Sequence, residues 1–279
     1  MPMIPVDGAE LYVEEVGAGP AVALVLHGGL GIDQRTYRTL DPLSESLRLV
    51  YVDHRGNGRS TGDASTASMR QWAADAAAVA RHVAGGEPVI VIGHSYGGFI
   101  AQEMAINHPE AVRALVLLTT TPGQPGEGEQ PVPDGPPMPE EFAVMLASMP
   151  ETDEEYAGSL RALAPAYVHR ASADELRALL ADTVVRAAAM RRGFEVLANW
   201  SSVDRLGQIA APTLLVAGRH DPFTAWPQAE RIAAELPRAE VVVFEESSHF
   251  PWLDEPEEFF PAVRGWLARQ GLVGTPLAE

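Results

Sequence analysis

Residues 88–107 read PVIVIGHSYGGFIAQEMAIN, and this stretch decides the fold. The apolar run Pro88–Ile92 predicts a buried strand, and Gly98–Asn107 has the spacing of a helix. Between them, Gly93–Gly97 carries the pattern G-x-S-x-G, which turns sharply from strand to helix with the serine at its apex. Glycines flank the serine because side chains there would clash between the strand and the helix. Ser95 is therefore the predicted nucleophile, beside a helix N-terminus whose partial positive charge favours an oxyanion.

Short apolar strands alternate with helical patterns on both sides of this stretch. The alternation predicts an α/β protein with a mostly parallel, doubly wound sheet that helices cover on both faces. The other predicted strands are Ala21–Leu26, Leu47–Val52, Ala114–Leu118, Pro212–Ala217 and Glu240–Phe244, and the other predicted helices are Ser68–Ala84, Ala225–Leu236 and Pro256–Arg269.

The alternation is interrupted between about Thr121 and Asp204. Residues 122–139 include seven prolines and four glycines among 18 residues, which predicts a loop. Helical patterns follow around Pro139–Met149, Glu154–Ala164 and Ser172–Asn199. We therefore predict a core of residues 1–120 and 205–279, and a helical cap of residues 121–204 inserted after the strand Ala114–Leu118. The cap is expected to select the substrate without taking part in the chemistry.

Two further predicted strands are followed by residues that could activate a serine. Asp221 follows Pro212–Ala217, and His249 follows Glu240–Phe244. Active sites assemble at the carboxyl edge of a parallel sheet, and the chain order Ser95, Asp221, His249 is the one that suits this arrangement. His249 is predicted to take the serine proton, while Asp221 fixes the imidazole tautomer and stabilises the imidazolium.

A tetrahedral intermediate also needs two backbone N–H donors on its negative oxygen. One is predicted to be Tyr96, directly after the nucleophile. The other is expected from His27-Gly28-Gly29-Leu30-Gly31, which follows the strand Ala21–Leu26, with Gly29 as the donor. The residues predicted to contact substrate are Leu30, Phe142, Met145, Trp200 and Phe250.

Other residues near these strand ends compete for the same roles. Glu245 and Glu246 follow the same strand as His249, and they are too close to it in sequence to serve naturally as its partner. The remaining candidates are expected to brace or pack the loops instead. They are His27, His94, His220 and the charged loop Asp53–Ser60.

Composition excludes several classes of function. The chain of 279 residues has no cysteine and no lysine, which rules out disulfides, thiolate metal sites and Schiff-base chemistry. No HExxH or GxGxxG pattern is present, so neither a metal nor an organic cofactor is predicted. The net charge of −18 disfavours nucleic acid and anionic membrane surfaces as partners. Without a visible signal peptide or membrane span, the prediction is a cytoplasmic protein that acts on a small molecule, of open oligomeric state.

Over nearly its whole length the chain resembles the α/β-hydrolase superfamily, most closely the proline iminopeptidase-like branch and related small esterases and lactonases. The motifs that carry the resemblance are HGGLG, DHRGNGRS, GHSYGGFIAQEMA, AGRHDPF and SSHFPWLDEPEEF. The resemblance implies the same catalytic triad, Gly29 and Tyr96 as oxyanion donors, and a helical cap. In the iminopeptidase-like branch the first motif usually reads HGGPG, and Leu30 replaces that proline here.

Two departures separate the chain from the iminopeptidases, which hold the α-amine of the substrate with carboxylates. Pro222 follows Asp221 where that branch has a carboxylate, and Glu195 matches the amine-binding glutamate of the cap poorly. Nine acidic residues between positions 127 and 155 could attract an amine, although a solvated acidic face is the preferred interpretation. The predicted function is hydrolysis of a small ester, lactone or amide through an acyl-serine. The alternatives are proline release from peptides, C–C bond hydrolysis and a non-catalytic ligand-binding protein.

Overall fold

One mixed sheet of eight strands organises the computed structural model, which describes residues 3–29, 31–123 and 135–273. The order of the strands across the sheet is β1-β2-β4-β3-β5-β6-β7-β8. The strands are β1 (Met3–Val6), β2 (Ala9–Val16), β3 (Ala21–Leu26), β4 (Leu47–Val52), β5 (Val89–His94), β6 (Val112–Leu118), β7 (Thr213–Gly218) and β8 (Ala239–Phe244).

Strands β3 to β8 are parallel to one another, and the two antiparallel pairs are β1 with β2 and β2 with β4. All six residues of β5 and of β7 are buried, as expected for central strands with helices on both faces. The predicted fold class is confirmed. The sequence analysis missed β1 and β2, because Ala9–Val16 reads AELYVEEV and buries only its middle three residues.

Outside the insertion between β6 and β7, the helices of the described residues alternate with these strands as predicted. None of them is long and apolar enough to cross a lipid bilayer. They are α1 (Met69–Val83), α2 (Tyr96–Asn107), α3 (Glu140–Ser148), α4 (Asp153–Tyr167), α5 (Ala173–Ala181), α6 (Ala187–Leu197), α7 (Pro227–Glu235), α8 (Pro251–Asp254) and α9 (Pro256–Arg269), together with 3₁₀ segments Gln34–Glu45, Ala64–Thr66, Pro109–Ala111 and Val203–Gln208.

Two differences between the predicted and the observed helices bear on the site. Helix α2 begins at Tyr96 rather than Gly98, so the helix starts directly after the predicted nucleophile. The pattern Ser172–Asn199 is divided into α5 and α6, since the backbone N–H of Arg186 donates to the carbonyl oxygen of Gly31 (2.7 Å). A tertiary contact with the loop after β3 thus overrides a continuous helical pattern.

Helices α3 to α6 form the predicted insertion between β6 and β7. Its two ends meet, because Gly123 pairs with Ser201 in an antiparallel bridge and Ser202 N–H donates to the carbonyl oxygen of Pro122 (2.8 Å). The side chain of Gln102 on α2 bonds both ends, donating to the Thr121 carbonyl (2.9 Å) and accepting from the Ser202 hydroxyl (2.7 Å). The division into core (1–120, 205–279) and cap (121–204) stays a prediction.

A buried carboxylate on α2 also holds the C-terminal end of the insertion. Glu103, whose side chain is 2% exposed, accepts two hydrogen bonds from the Arg205 guanidinium (2.8 and 3.1 Å) and one from the Trp200 indole (2.9 Å). Burial opposes ionisation, but these donors outweigh it and hold the pKa of Glu103 below its usual value. The helix that carries the predicted nucleophile at its N-terminus therefore anchors the insertion further along its length.

Candidate active site

The predicted catalytic residues lie together at the carboxyl edge of the sheet. Ser95 comes directly after β5, Asp221 follows β7 and His249 follows β8, while Gly29 follows the neighbouring strand β3. Because these strands are parallel, residues far apart in the chain converge at one edge.

Ser95 adopts a backbone conformation that non-glycine residues rarely take, with φ 50° and ψ −115°. Such a conformation persists only where the surroundings fix it. Here the Ser95 N–H donates to the carbonyl oxygen of Leu118 (2.9 Å), and the Ser95 carbonyl accepts from the Thr120 hydroxyl (2.8 Å) and from Gly98 N–H (2.9 Å). The turn thus presents the serine side chain to the cavity that Ser95 lines.

The turn is possible only because glycine removes side chains from two close approaches. A Cβ atom on Gly97 would lie 2.0 Å from the carbonyl oxygen of Leu26 at the end of β3. A Cβ on Gly28 would lie 2.6 Å from His94 Nδ1 and 2.8 Å from Ser95 Cβ. Any residue other than glycine at these two positions would keep α2 or the loop after β3 from packing so closely around the serine.

His249 and Asp221 form a buried, hydrogen-bonded pair. His249 Nδ1 lies 2.8 Å from Asp221 Oδ2, and both side chains are almost fully buried. The same carboxylate accepts hydrogen bonds from Phe223 N–H (2.8 Å), Thr224 N–H (3.2 Å) and the Thr224 hydroxyl. Since a carboxylate only accepts, the proton of the pair lies on Nδ1, and Nε2 of a neutral His249 is left with its lone pair.

The surroundings keep Asp221 ionised. Burial would raise the pKa of its carboxyl, but the charge of His249 and the donors around the carboxylate outweigh burial and hold the pKa below its usual value. An ionised Asp221 in a buried site stabilises positive charge on His249, which is the state that appears when His249 accepts a proton.

His94, beside the serine, connects three loops of the site. Because a carbonyl oxygen only accepts, His94 Nε2 carries a proton and donates to the His249 carbonyl (2.9 Å), so Nδ1 accepts from the Tyr37 hydroxyl (2.7 Å). The Tyr37 oxygen in turn accepts from Gly28 N–H (2.8 Å). Burial, helped by the nearby His249, lowers the pKa of His94 well below its usual value, which keeps the ring neutral. The prediction that His94 holds loops together agrees with these contacts.

The predicted oxyanion donors stand on either side of Ser95. Tyr96 is the first residue of α2, and Gly29 has a positive φ of 60° in the loop after β3. Both residues line the cavity that also contains Ser95 and His249. Their assignment as donors stays a prediction.

A cavity of about 140 Å³ lies over Ser95 and His249. Its walls are apolar and aromatic, and they come from both the core and the inserted helices. Phe142 and Met145 were predicted here, whereas most of the other lining residues were not. The unpredicted ones are Phe99, Tyr156, Leu160, Tyr167, Phe194, Leu197, Phe223 and Thr224. Helical periodicity alone could not separate the cavity-lining residues of the insertion from those in its own core.

Tyr167, in the last turn of α4, is the most consequential residue that the sequence analysis missed. Its ring stacks on Phe223 (centroids 4.6 Å apart) and lies 5.5 Å from the His249 ring. Its carbonyl oxygen accepts from His249 N–H (3.0 Å). The inserted helices thus contact the predicted base directly.

The remaining predicted contact residues are Phe250, Trp200 and Leu30. Phe250 lines a smaller cavity of about 60 Å³ that also contains Ser95 and His249. Trp200 was expected to line the substrate pocket, but it instead packs against Phe99 (5.2 Å) and bonds Glu103 at the base of the insertion. Leu30 lies outside the described residues.

The competing acidic and basic residues have other partners. Glu245 forms a two-point ion pair with Arg219 on the surface, whereas His249 Nδ1 bonds Asp221. In the loop Asp53–Ser60, Arg55 makes a buried two-point pair with Asp75 of α1 (2.7 Å for both bonds). His27 bonds the loop that contains His54, and burial lowers the pKa of His27 to about 4. These contacts agree with the predicted bracing roles.

Among the described residues, one group of three side chains could hold a metal ion: His169, His220 and Glu246. None of the three lines either cavity at Ser95. The sequence analysis missed the group because its members come from three separate loops without a ligand-spacing motif.

Comparison with known proteins agrees with this architecture. A family model described as "Alpha/beta hydrolase family" matches residues 23–262. The chain is similar to a pimeloyl-[acyl-carrier protein] methyl ester esterase of Nitrosomonas europaea, with 29% identity over 258 residues that span 90% of this chain and 97% of the relative. It is also similar to proline iminopeptidase PfmaB of Pestalotiopsis fici, with 25% identity over 95% of this chain and 99% of the relative.

Solved structures give the same result for the fold. An esterase from Exiguobacterium antarcticum superposes with a TM-score of 0.79 at 22% identity, covering 95% of this chain and 98% of its own. An N-acyl homoserine lactone degrading enzyme superposes with a TM-score of 0.72 at 26% identity, covering 95% and 100%.

The close approach at Gly97 yields a stability prediction. We expect Gly97→Ala to lower the free energy of unfolding by about 2–3 kcal/mol or more, because the new methyl group meets a backbone oxygen that cannot move aside. The measurement is urea unfolding followed by circular dichroism.

The matched control is Gly158→Ala in α4, where a Cβ would meet nothing within 4 Å. It should raise the free energy of unfolding by about 0.5–1 kcal/mol, since alanine favours the helix. If the two substitutions changed the free energy of unfolding equally, the turn at Ser95 would not depend on the absence of a side chain at Gly97.

Proposed function

The chain belongs to the alpha/beta hydrolase family, and on that premise we propose that it hydrolyses small-molecule esters or lactones through an acyl-Ser95 intermediate. One observation carries the proposal: a strained serine and an Asp221-bonded histidine line the same apolar cavity. The relatives whose names record ester and lactone cleavage support the choice of substrate class.

In the proposed first half-reaction, His249 Nε2 takes the proton of the Ser95 hydroxyl as Ser95 Oγ bonds to the substrate carbonyl carbon. The carbonyl oxygen gains the negative charge and is stabilised by Gly29 and Tyr96 N–H. The intermediate then collapses, the bond to the leaving oxygen breaks, and His249 gives its proton to that oxygen. An ester releases an alcohol, whereas a lactone keeps its new hydroxyl on the acyl group.

In the second half-reaction a water molecule repeats the sequence on the acyl-serine. His249 takes a proton from the water, whose oxygen bonds to the acyl carbon, and then returns a proton to Ser95 Oγ as the acid leaves. Asp221 stays ionised throughout and balances the charge of His249 in both half-reactions.

The cavity argues for a short, uncharged acyl group. Among the described residues that line it, none has a charged side chain, apart from the charge that His249 gains when it accepts a proton during turnover. An apolar cavity of about 150 Å³ in another protein holds one benzene molecule, and the cavity here has about 140 Å³. A substrate portion of about six carbon atoms therefore fits.

Release of N-terminal proline is the second candidate, because a proline iminopeptidase is among the relatives. That reaction needs a carboxylate that faces the substrate ammonium, since burying an unpaired charge is costly. Glu195, the candidate near the end of the cap, is 65% exposed and bonds Arg192 instead. The acids Asp153 and Glu155 hold backbone N–H groups at helix ends. The described residues therefore favour esters over peptides.

Replacing the acid of the pair tests the proposed triad. We expect Asp221→Asn to lower kcat on p-nitrophenyl butyrate by about 10⁴, because an amide favours the wrong tautomer of His249. Glu245→Gln makes the same change of acid to amide on the surface ion pair with Arg219 and should keep most of the activity. If the two variants lost activity equally, Asp221 would not be the triad acid.

A substrate panel tests the proposed class and the role of the cap. The wild-type chain should cleave p-nitrophenyl acetate, butyrate and hexanoate and a small lactone, and it should release no p-nitroaniline from proline p-nitroanilide. We expect Phe142→Ala to shift the preferred ester towards longer acyl chains, because Phe142 packs against Phe223 in the cavity wall. Its kcat on the acetate should stay within roughly tenfold of wild type.

The control for that shift is Leu146→Ala, since Leu146 lies on the same helix but is 40% exposed. It should leave the order of substrates unchanged. If the chain cleaved the proline anilide in preference to the esters, proline release would replace ester hydrolysis as the proposed function. Equal loss on every ester in Phe142→Ala, with the fold intact by circular dichroism, would show that the cap takes part in the chemistry.

A further inference from the structure

Three loops bring His169, His220 and Glu246 together beside the active-site edge. His169 lies between α4 and α5, His220 follows β7, and Glu246 follows β8. One ligand atom of each residue lies within 4.8 Å of the other two, and His169 Nε2 is 3.7 Å from Glu246 Oε2. The two imidazole rings are stacked in parallel, with centroids 3.7 Å apart and an 8° angle between their planes.

The donor set suits one kind of ion. Two imidazoles and one carboxylate are a common ligand set for Zn²⁺, which leaves a fourth position for water. Zinc bonds these ligands at about 2.0–2.2 Å, so ligand atoms on a tetrahedral ion are about 3.3 Å apart. The side chains of His169 and Glu246 are 39% and 61% exposed, so they have room to close the remaining distance, and an ion can enter from solvent.

Hydrogen bonds fix the backbone at all three positions. His169 N–H donates to Asp254 Oδ1 (2.9 Å), and Glu246 N–H donates to Glu255 Oε2 (3.0 Å). His220 N–H donates to the Ser247 carbonyl (2.9 Å). Asp254 and Glu255 are each only 3% exposed, so these anchors are themselves held in place. Because the backbone at the three positions is already held, binding does not have to order it, which lowers the entropic cost of binding.

We propose that His169, His220 and Glu246 bind one Zn²⁺ ion, which joins the loop after α4 to the loops that carry Asp221 and His249. The net charge of −18 favours the approach of a cation. The ion would clamp the segment next to Tyr167, whose ring lies beside His249. Its role is to stabilise the contact between inserted helices and core. The proposal does not depend on the reaction proposed for Ser95.

Isothermal titration calorimetry with ZnCl₂ tests the site. The full chain is prepared without a histidine tag and stripped of metal with EDTA, which is then removed. We expect one Zn²⁺ per chain and a rise in Tm on addition of zinc, because the ion binds the folded state. His169→Gln and Glu246→Gln should each weaken zinc binding by more than about tenfold, since even loss of an outer-shell partner costs that much.

The matched control is His82→Gln, which removes an exposed histidine of α1 outside the group. It should bind zinc as the wild type does. Circular dichroism and Tm without metal check that each variant is folded, and the two partly exposed ligands provide independent tests. Absence of saturable binding would overturn the proposal. So would binding that survives both ligand substitutions, or binding that weakens equally in His82→Gln.

Discussion

The strained backbone of Ser95 at the end of β5 is the constraint on which the rest of the site depends. A residue with φ 50° and ψ −115° must be held by its surroundings, and Leu118, Thr120 and Gly98 supply the hydrogen bonds that hold it. Gly97 permits the close packing of α2 against β3, since a Cβ there would lie 2.0 Å from the Leu26 carbonyl oxygen. A change in this packing would shift Ser95, the proposed nucleophile, relative to the cavity that it lines.

The other loops are positioned relative to that turn by buried polar contacts. The His249 carbonyl accepts from both His94 Nε2 (2.9 Å) and the Thr119 hydroxyl (3.0 Å), so the histidine loop is tied to the ends of β5 and β6. Tyr37 extends the chain of contacts to Gly28, in the loop of the proposed oxyanion donor Gly29. Because these groups are buried, each unmade bond would be costly, which favours a single arrangement of the loops.

The core and its edge could be predicted from sequence because their signals are local. The strands Ala21–Leu26 and Leu47–Val52 and the helix Pro256–Arg269 were predicted at the bounds that the structure has. Asp221 and His249 were predicted from their places after strands, and the structure joins them by a hydrogen bond. The failures concern packing between distant segments. Trp200 bonds Glu103 rather than lining the cavity, Tyr167 was not recognised, and the histidines at 169 and 220 meet only in the folded chain.

The central claim is that Ser95 is the single nucleophile of this hydrolase, and covalent labelling with a fluorophosphonate tests it most directly. Intact-mass measurement of the labelled wild-type chain should show one adduct, and peptide mapping should place it on Ser95. The Ser95→Ala variant, shown to be folded by circular dichroism, should take up no label and cleave no ester. An adduct on another residue, or labelling of Ser95→Ala at the wild-type rate, would contradict the account.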